Sequence, residues 1–226
     1  MLILAIDTSG QSGGITLAEA DAGSFRVIES AAIAGGTFSA QLIPTLAALL
    51  KNHGYGVKDI GGFAAASGPG SFTGLRVGLS AIKGLAETLH KPIATVSVLE
   101  ALASLADRPG KIAAAMDASR KEVFLGVFEK SDRSLAMQRE ELLTQQDFLA
   151  TLGTERPAAI ITSDAALAEL AAASHSAVVV VTAPGSEAIA RIGAKKLLAG
   201  ETVSVEALDA NYLRRSDAEI FFKGNR

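Results

Sequence analysis

LILAIDTSGQSGGITLAEA, residues 2–20, and KIAAAMDASRKEVFLGVFE, residues 111–129, follow one plan: an apolar run closes on an aspartate, a short polar turn follows, and a second apolar run begins. Apolar runs of this length between Gly/Ser-rich turns read as paired strands, and Asp7 and Asp117 stand at the same step of the two copies. Outward from the first copy, SFRVIESAAI (24–33) makes a third strand. A helix then carries Leu42, Leu46, Leu49 and Leu50 at helical spacing, with Asn52 to Gly54 as its stop and Pro44 expected to bend it early. GGFAAAS (61–67) is a strand, TGLRVGLSAIKGLAETL (73–89) a helix, PIATVS (92–97) a strand and VLEALASLA (98–106) a helix.

After the break DRPG (107–110) the same order returns. EVFLGVFE (122–129) is followed by a weaker strand in SLAMQRE (134–140) and a helix in TQQDFLATL (144–152). AAIIT (158–162), DAALAELAAAS (164–174), AVVVVT (177–182) and SEAIARIGAKKLLAG (186–200) complete strand, helix, strand, helix. Two βββαβαβα units predict an α/β protein built by duplication, with a first lobe over 1–106, a more variable second lobe over 107–210, and a tail over 211–226 that packs back on the lobes. The pattern resembles the duplicated ribonuclease-H-like architecture of actin-like proteins, sugar kinases and Hsp70 (the ASKHA fold).

Composition narrows the chemistry. The chain has 226 residues and no cysteine, which excludes disulfides, thiolate zinc sites and a cysteine nucleophile and fits a reducing cytoplasm. A net charge of −3 argues against a chain that grips nucleic acid unaided, because counterion release needs clustered Lys and Arg. No apolar run approaches the roughly 18 residues of a membrane span. The opening MLILAID reaches Asp7 without a basic region and is expected to be a buried strand rather than a secretion signal. A cytoplasmic protein with no membrane contact is expected.

SGPGSFTGLRVG (67–78) invites three mechanisms. A phosphate loop of the G-x-x-x-x-G-K-[ST] type needs a lysine that does not follow here. A dinucleotide turn needs an acid near the end of the next strand, where Thr95, Val96 and Ser97 stand instead. What survives is a tight turn at a helix start, with Ser71 or Thr73 as the cap. The residues leave two roles open, an unliganded cap and an anion holder.

On the helix that follows, Arg76, Ser80, Lys83 and Glu87 form one narrow polar stripe, leaving most of the circumference to Leu75, Val77, Leu79, Ala81, Ile82, Leu85, Ala86 and Leu89. Gly74, Gly78 and Ala81 add a small-residue ridge, and the preceding helix has only a thin polar strip through Gln41, Thr45 and Lys51. Two neighbouring helices with more apolar arc than one core requires predict an exposed patch that a partner covers. The alternative is that both are enclosed by their own fold.

LAIDTS (4–9), GPGSFTGLRVGLSAIKGLA (68–86), KPIATVSVLEALA (91–103) and MDASRKEVF (116–124) together resemble the TsaB (YeaZ) family, the bacterial partners of TsaD in making threonylcarbamoyladenosine next to the anticodon of certain tRNAs. The likeness thins after residue 130, and ANYLR (210–214) departs from the family's P-x-Y-L-R by having Ala210.

The resemblance implies a non-catalytic subunit, with no catalytic residue of its own. Where TsaD holds a metal through two histidines, this chain has Val98 and Leu102, and Glu100 between them cannot hold an ion alone. His53, His90 and His175 lie far apart and read as surface or capping residues. The two phosphate hairpins of actin-like phosphotransferases, of D-x-G-T type, become DTSG and DASR, with serine in place of the glycine. The segment ITSDAA (161–166) lacks the glycines expected around a base. Asp7, Thr8, Ser9, Gly70 and Ser71 are left as a candidate vestigial nucleotide cleft, in which Asp7 either orients a water or ion in a shared complex or caps its own turn. Asp117 is read as structural, with Arg120 and Lys121 pairing with it or with Glu122.

No metal and no cofactor are expected in the isolated chain, and ATP or ADP only at the shared interface of a complex. The implied partner surface is Leu42, Leu46, Leu49, Leu75, Arg76, Leu79, Ile82, Lys83 and Ala86. Through it the chain would stabilise TsaD as a heterodimer, help recruit the ATPase TsaE, meet tRNA only within the complex and form a homodimer when alone. The alternative is an enzyme of the same architecture, a metallopeptidase or an ATP-dependent phosphotransferase.

Overall fold

The structure, a computed structural model, describes residues 1–174 and 176–213. It divides into two compact units. In the first, β1 (Leu2–Asp7), β2 (Ser12–Ala20) and β3 (Phe25–Ala34) form an antiparallel meander, in register from Leu2 opposite Glu19 to Asp7 opposite Gly14. Helix α1 (Phe38–Asn52), β4 (Ile60–Gly68), α2 (Phe72–Leu89) and β5 (Ile93–Ser97) follow, and both later strands join parallel to β1. The sheet order is β3-β2-β1-β4-β5. A short helix, α3 (Val98–Ser104), leads out.

The second unit repeats the plan with β6 (Gly110–Asp117), β7 (Glu122–Lys130), β8 (Leu135–Thr144), α4 (Gln145–Glu155), β9 (Ala159–Thr162), α5 (Ala165–Ala171) and β10 (Ala177–Val180). Its order, β10-β9-β6-β7-β8, is the first sheet's order written with the second set of strands. The duplication seen in the sequence is therefore a duplication of topology, and the ribonuclease-H-like expectation holds for both halves. The weak third strand is a full ten residues long, because β8 pairs with β7 along its whole length.

The division of the chain differs from the sequence expectation of 1–106 and 107–210. The first unit comprises Met1–Ala101 and Pro184–Ala210, and the second Leu102–Ala183 together with residues from Asn211 onward. Helix α6 (Ser186–Ala199) follows β10 in sequence yet packs on the first sheet, across β1, β2, β4 and β5. Its buried row of Ile189, Ala190, Gly193, Ala194 and Leu197 covers the face opposite α1 and α2. Gly193 permits this contact, since a Cβ there would lie 2.3 Å from the Ala64 Cβ. Covered on both faces, β1 is buried at every position, as a near-continuous apolar strand requires. The tail expectation falls largely outside the described residues. Of its start, the Asn211 amide donates to Glu140 on β8 at 2.6 Å.

Candidate functional site

The first hairpin turns directly after β1. Asp7 Oδ1 accepts from the Ser9 backbone N–H at 2.9 Å and from the Ser9 hydroxyl at 2.7 Å, so the aspartate caps its own turn. Asp7, Thr8 and Ser9 are all buried. Burial pushes the Asp7 carboxyl above its ordinary pKa, against the opposing pull of the Ser9 hydrogen bonds.

What buries the turn is the glycine-rich loop that starts α2. The Ser71 amide donates to the Ser9 carbonyl at 2.7 Å, and the Thr8 hydroxyl donates to the Gly74 carbonyl at 2.7 Å. A Cβ on Gly70 would lie 2.4 Å from Ser9 O, and one on Gly74 only 2.1 Å from Thr8 O. Both glycines are thus required by close backbone approach. The Ser71 hydroxyl caps α2 by accepting from the Gly74 N–H at 3.2 Å.

The two roles left open for this loop are thereby separated. Sequence reasoning correctly gathers Asp7, Thr8, Ser9, Gly70 and Ser71 into one place. However, the amides of Ser71 and Gly74, two of the donors at this helix start, already serve the Ser9 carbonyl and the Ser71 hydroxyl. The loop rests on the hairpin backbone itself, so these residues do not fit a nucleotide phosphate between them. The loop is a grip that fixes α2 against β1.

The second hairpin keeps the same first step: Asp117 Oδ1 accepts from Ser119 N–H at 3.1 Å. Asp117 therefore caps its turn. It and the following Ser119, Arg120 and Lys121 are exposed.

At the position of the expected metal motif, Val98 and Leu102 are buried among apolar side chains. The Glu100 carboxylate is taken by Lys196 of α6, with Nζ 2.6 Å from Oε2. Among the described residues, no group of three or more His, Cys, Asp or Glu gathers where a metal could be held. His53 and His90 are the C-cap residues of α1 and α2, and His175 lies outside the described residues.

The expected partner surface requires correction. Leu42, Leu46, Leu49, Leu75, Leu79, Ile82 and Ala86 all belong to the buried core of the first unit, where they meet Leu4, Ile6, Phe63 and Ala65 of the sheet. The widest apolar arcs of the two helices face inward, since burying each Leu or Ile is worth roughly 1.5–3 kcal/mol to the fold itself. Of the nine residues, only Arg76 is exposed and Lys83 half-buried.

A different surface remains open. On α1, Ala40, Ile43, Pro44, Ala47 and Ala48 are exposed at i, i+3, i+4, i+7 and i+8, one continuous apolar row with Ile43 at 52% exposure. Alongside, α2 contributes half-buried Val77, Ala81 and Leu85 and exposed Gly84. Next to them runs the polar stripe of Arg76, Ser80, Lys83 and Glu87, with the Arg76 guanidinium stacked 3.7 Å from the Phe72 ring centre. Sequence reasoning missed the α1 row because its members are mostly small. The one available signal was the repeat of alanines with Ile43 and Pro44 at helical spacing.

Comparison with known proteins agrees with this architecture. The family model described as TsaD: tRNA N6-adenosine threonylcarbamoyltransferase matches residues 31–160. The tRNA threonylcarbamoyladenosine biosynthesis protein TsaB of Bacillus subtilis (strain 168) is 30% identical, over 97% of this chain and 96% of its own length. The protein of the same name from Haemophilus influenzae is 32% identical, over 65% of this chain and 63% of its own. Among solved structures, YeaZ from Pseudomonas aeruginosa superposes with a TM-score of 0.73 at 25% identity, covering 93% of this chain and 100% of that one.

Proposed function

The chain belongs to the TsaB family of tRNA threonylcarbamoyladenosine biosynthesis proteins, and on that premise we propose that it serves the modification as a non-catalytic subunit, docking on TsaD through the outer row of α1 and the flank of α2. The single observation that carries this reading is the exposed apolar row Ala40, Ile43, Pro44, Ala47 and Ala48. Contiguous apolar surface of this kind marks a protein contact, and a stable one needs on the order of 1,000 Å² or more in total. The Lys196-paired Glu100 and the donors spent within the Asp7 turn support a role without chemistry of its own. In the complex, TsaE and tRNA would meet the joint surface, with nucleotide at the shared interface. In the absence of TsaD the same row would close on a second copy about a two-fold axis.

The test is Ile43→Glu with Ala47→Glu, co-purified with TsaD of the same organism. The expected result is loss of the complex and of threonylcarbamoyladenosine in digested tRNA, with the circular dichroism melting curve close to that of the unaltered chain. Undiminished complex formation by a folded double variant would overturn the assignment. Leu79→Glu and Ile82→Glu are unsuitable, since both side chains are core and their replacement would unfold the first unit.

A further inference from the structure

The chain passes between its two units three times, and one ion pair ties the first two passages together. It leaves the first unit within α3, after Ala101, and returns at Pro184 just ahead of α6. Glu100 stands in the first turn of α3 and Lys196 in the last turn of α6. Lys196 Nζ lies 2.6 Å from Glu100 Oε2 and also donates to the carbonyl of Thr95, the middle residue of β5, at 3.1 Å. The two side chains are 24% and 17% exposed, so the pair is largely withdrawn from water and salt.

An ion pair in that setting costs desolvation and contributes little when intact against an apolar replacement, yet losing either partner strands the other charge. Such a pair ties together the elements that carry its two charges, because separating them leaves both uncompensated. The α3 start is further fixed by the Ser97 hydroxyl, which accepts from the Leu99 N–H at 3.1 Å. Thus β5, the exit helix and the return helix meet at a single ammonium group.

We propose that Lys196 and Glu100 form a staple that makes the exit helix α3 and the return helix α6 open and close as one cooperative element on the first unit. Loosening one end must then loosen the other, although the two helices are 96 residues apart in sequence at this contact. The inference rests on this geometry and not on the functional reading above.

Amide hydrogen exchange on the full chain tests it, comparing the unaltered protein with Lys196→Met, Glu100→Gln and the double variant. Lys196→Met should speed exchange of the α3 amides, and Glu100→Gln that of the α6 amides, by about tenfold, since contacting residues couple on this scale. Amides of β1 and β4 should keep their rates, and the double variant should add little to either single change. Three results would overturn the staple: exchange that changes only on the substituted helix, equal acceleration in β1 and β4, or effects that sum in the double variant. Should Lys196→Met not fold, Glu100→Gln keeps both the side-chain shape and the Lys196 bond to Thr95, and its effect on α6 decides the matter alone.

Discussion

The two hairpins at Asp7 and Asp117 start from the same local instruction and arrive at opposite environments. In both, the aspartate Oδ1 accepts the backbone N–H two residues on, at 2.9 Å and 3.1 Å. In the first unit the glycine-rich loop of α2 lies across the turn and buries Asp7, Thr8 and Ser9. In the second, the matching helix α5 starts from an Asp164 cap, and the hairpin tip is exposed. That tip runs through three successive left-handed residues, Ser119, Arg120 and Lys121, with φ of 60°, 53° and 61°. A short polar turn thus encodes its own hydrogen bond, while its burial is decided by a segment some 60 residues away in the chain.

The largest effect that could break this comparison is at Gly74. If the α2 loop truly rests on the first hairpin, Gly74→Ala should cost about 3 kcal/mol, as overpacking against fixed backbone does. The control is Gly153→Ala in α4, where a Cβ would meet nothing within 4 Å. There the substitution should raise stability, by up to about 1 kcal/mol from helix propensity. Urea denaturation of the two variants would show it, and equal tolerance would mean the loop does not grip the turn.

A smaller effect should appear at Thr8, whose hydroxyl donates to the Gly74 carbonyl at 2.7 Å. Thr8→Val keeps the shape and removes the donor, and should cost about 1 kcal/mol in the same denaturation experiment. The counterpart in the second hairpin is Ala118, which is buried without any hydroxyl to offer. An unchanged midpoint for Thr8→Val would place the grip in the backbone contacts alone.

The same contrast shows how far the sequence could be read. Strand order, the doubled topology and the Asp7 and Asp117 positions were legible, because alternation, turn residues and apolar runs are local signals. The return of α6 was not. Ile189, Ala190, Gly193, Ala194 and Leu197 mark a buried helix face, but periodicity says nothing about which sheet receives it. The docking surface was misassigned for a related reason. The large side chains Leu75, Leu79 and Ile82 satisfy their own core first, which leaves a row of alanines around Ile43 and Pro44 exposed as the surface proposed for docking. Even Glu100 was legible only as an acid without companions, since Lys196 reaches it through the helix whose destination the sequence hides.

The smallest effect is the most discriminating, because it asks whether Asp7 and Asp117 differ in charge environment and not merely in exposure. Burial raises the Asp7 pKa in the folded state above its unfolded value, so between those two values the folded protein binds more protons. Stability contributed by Asp7 is therefore greatest at acid pH and is lost as pH rises through the folded-state value. Asp7→Asn keeps an Oδ1 acceptor for the Ser9 N–H and removes the titration. Relative to the unaltered chain, this variant should gain ground as pH is raised from about 4, near the ordinary carboxylate range, toward neutrality. Asp117→Asn, at an exposed turn with the same backbone hydrogen bond, should stay within about 0.5 kcal/mol of the unaltered chain at neutral pH. Urea midpoints measured across that pH range for the three proteins give the answer. If the Asp7→Asn difference does not change with pH, the loop does not withdraw the first turn's carboxyl from water. Gly70 and Gly74 would then be conformational conveniences of a helix start, with no claim on the hairpin beneath them.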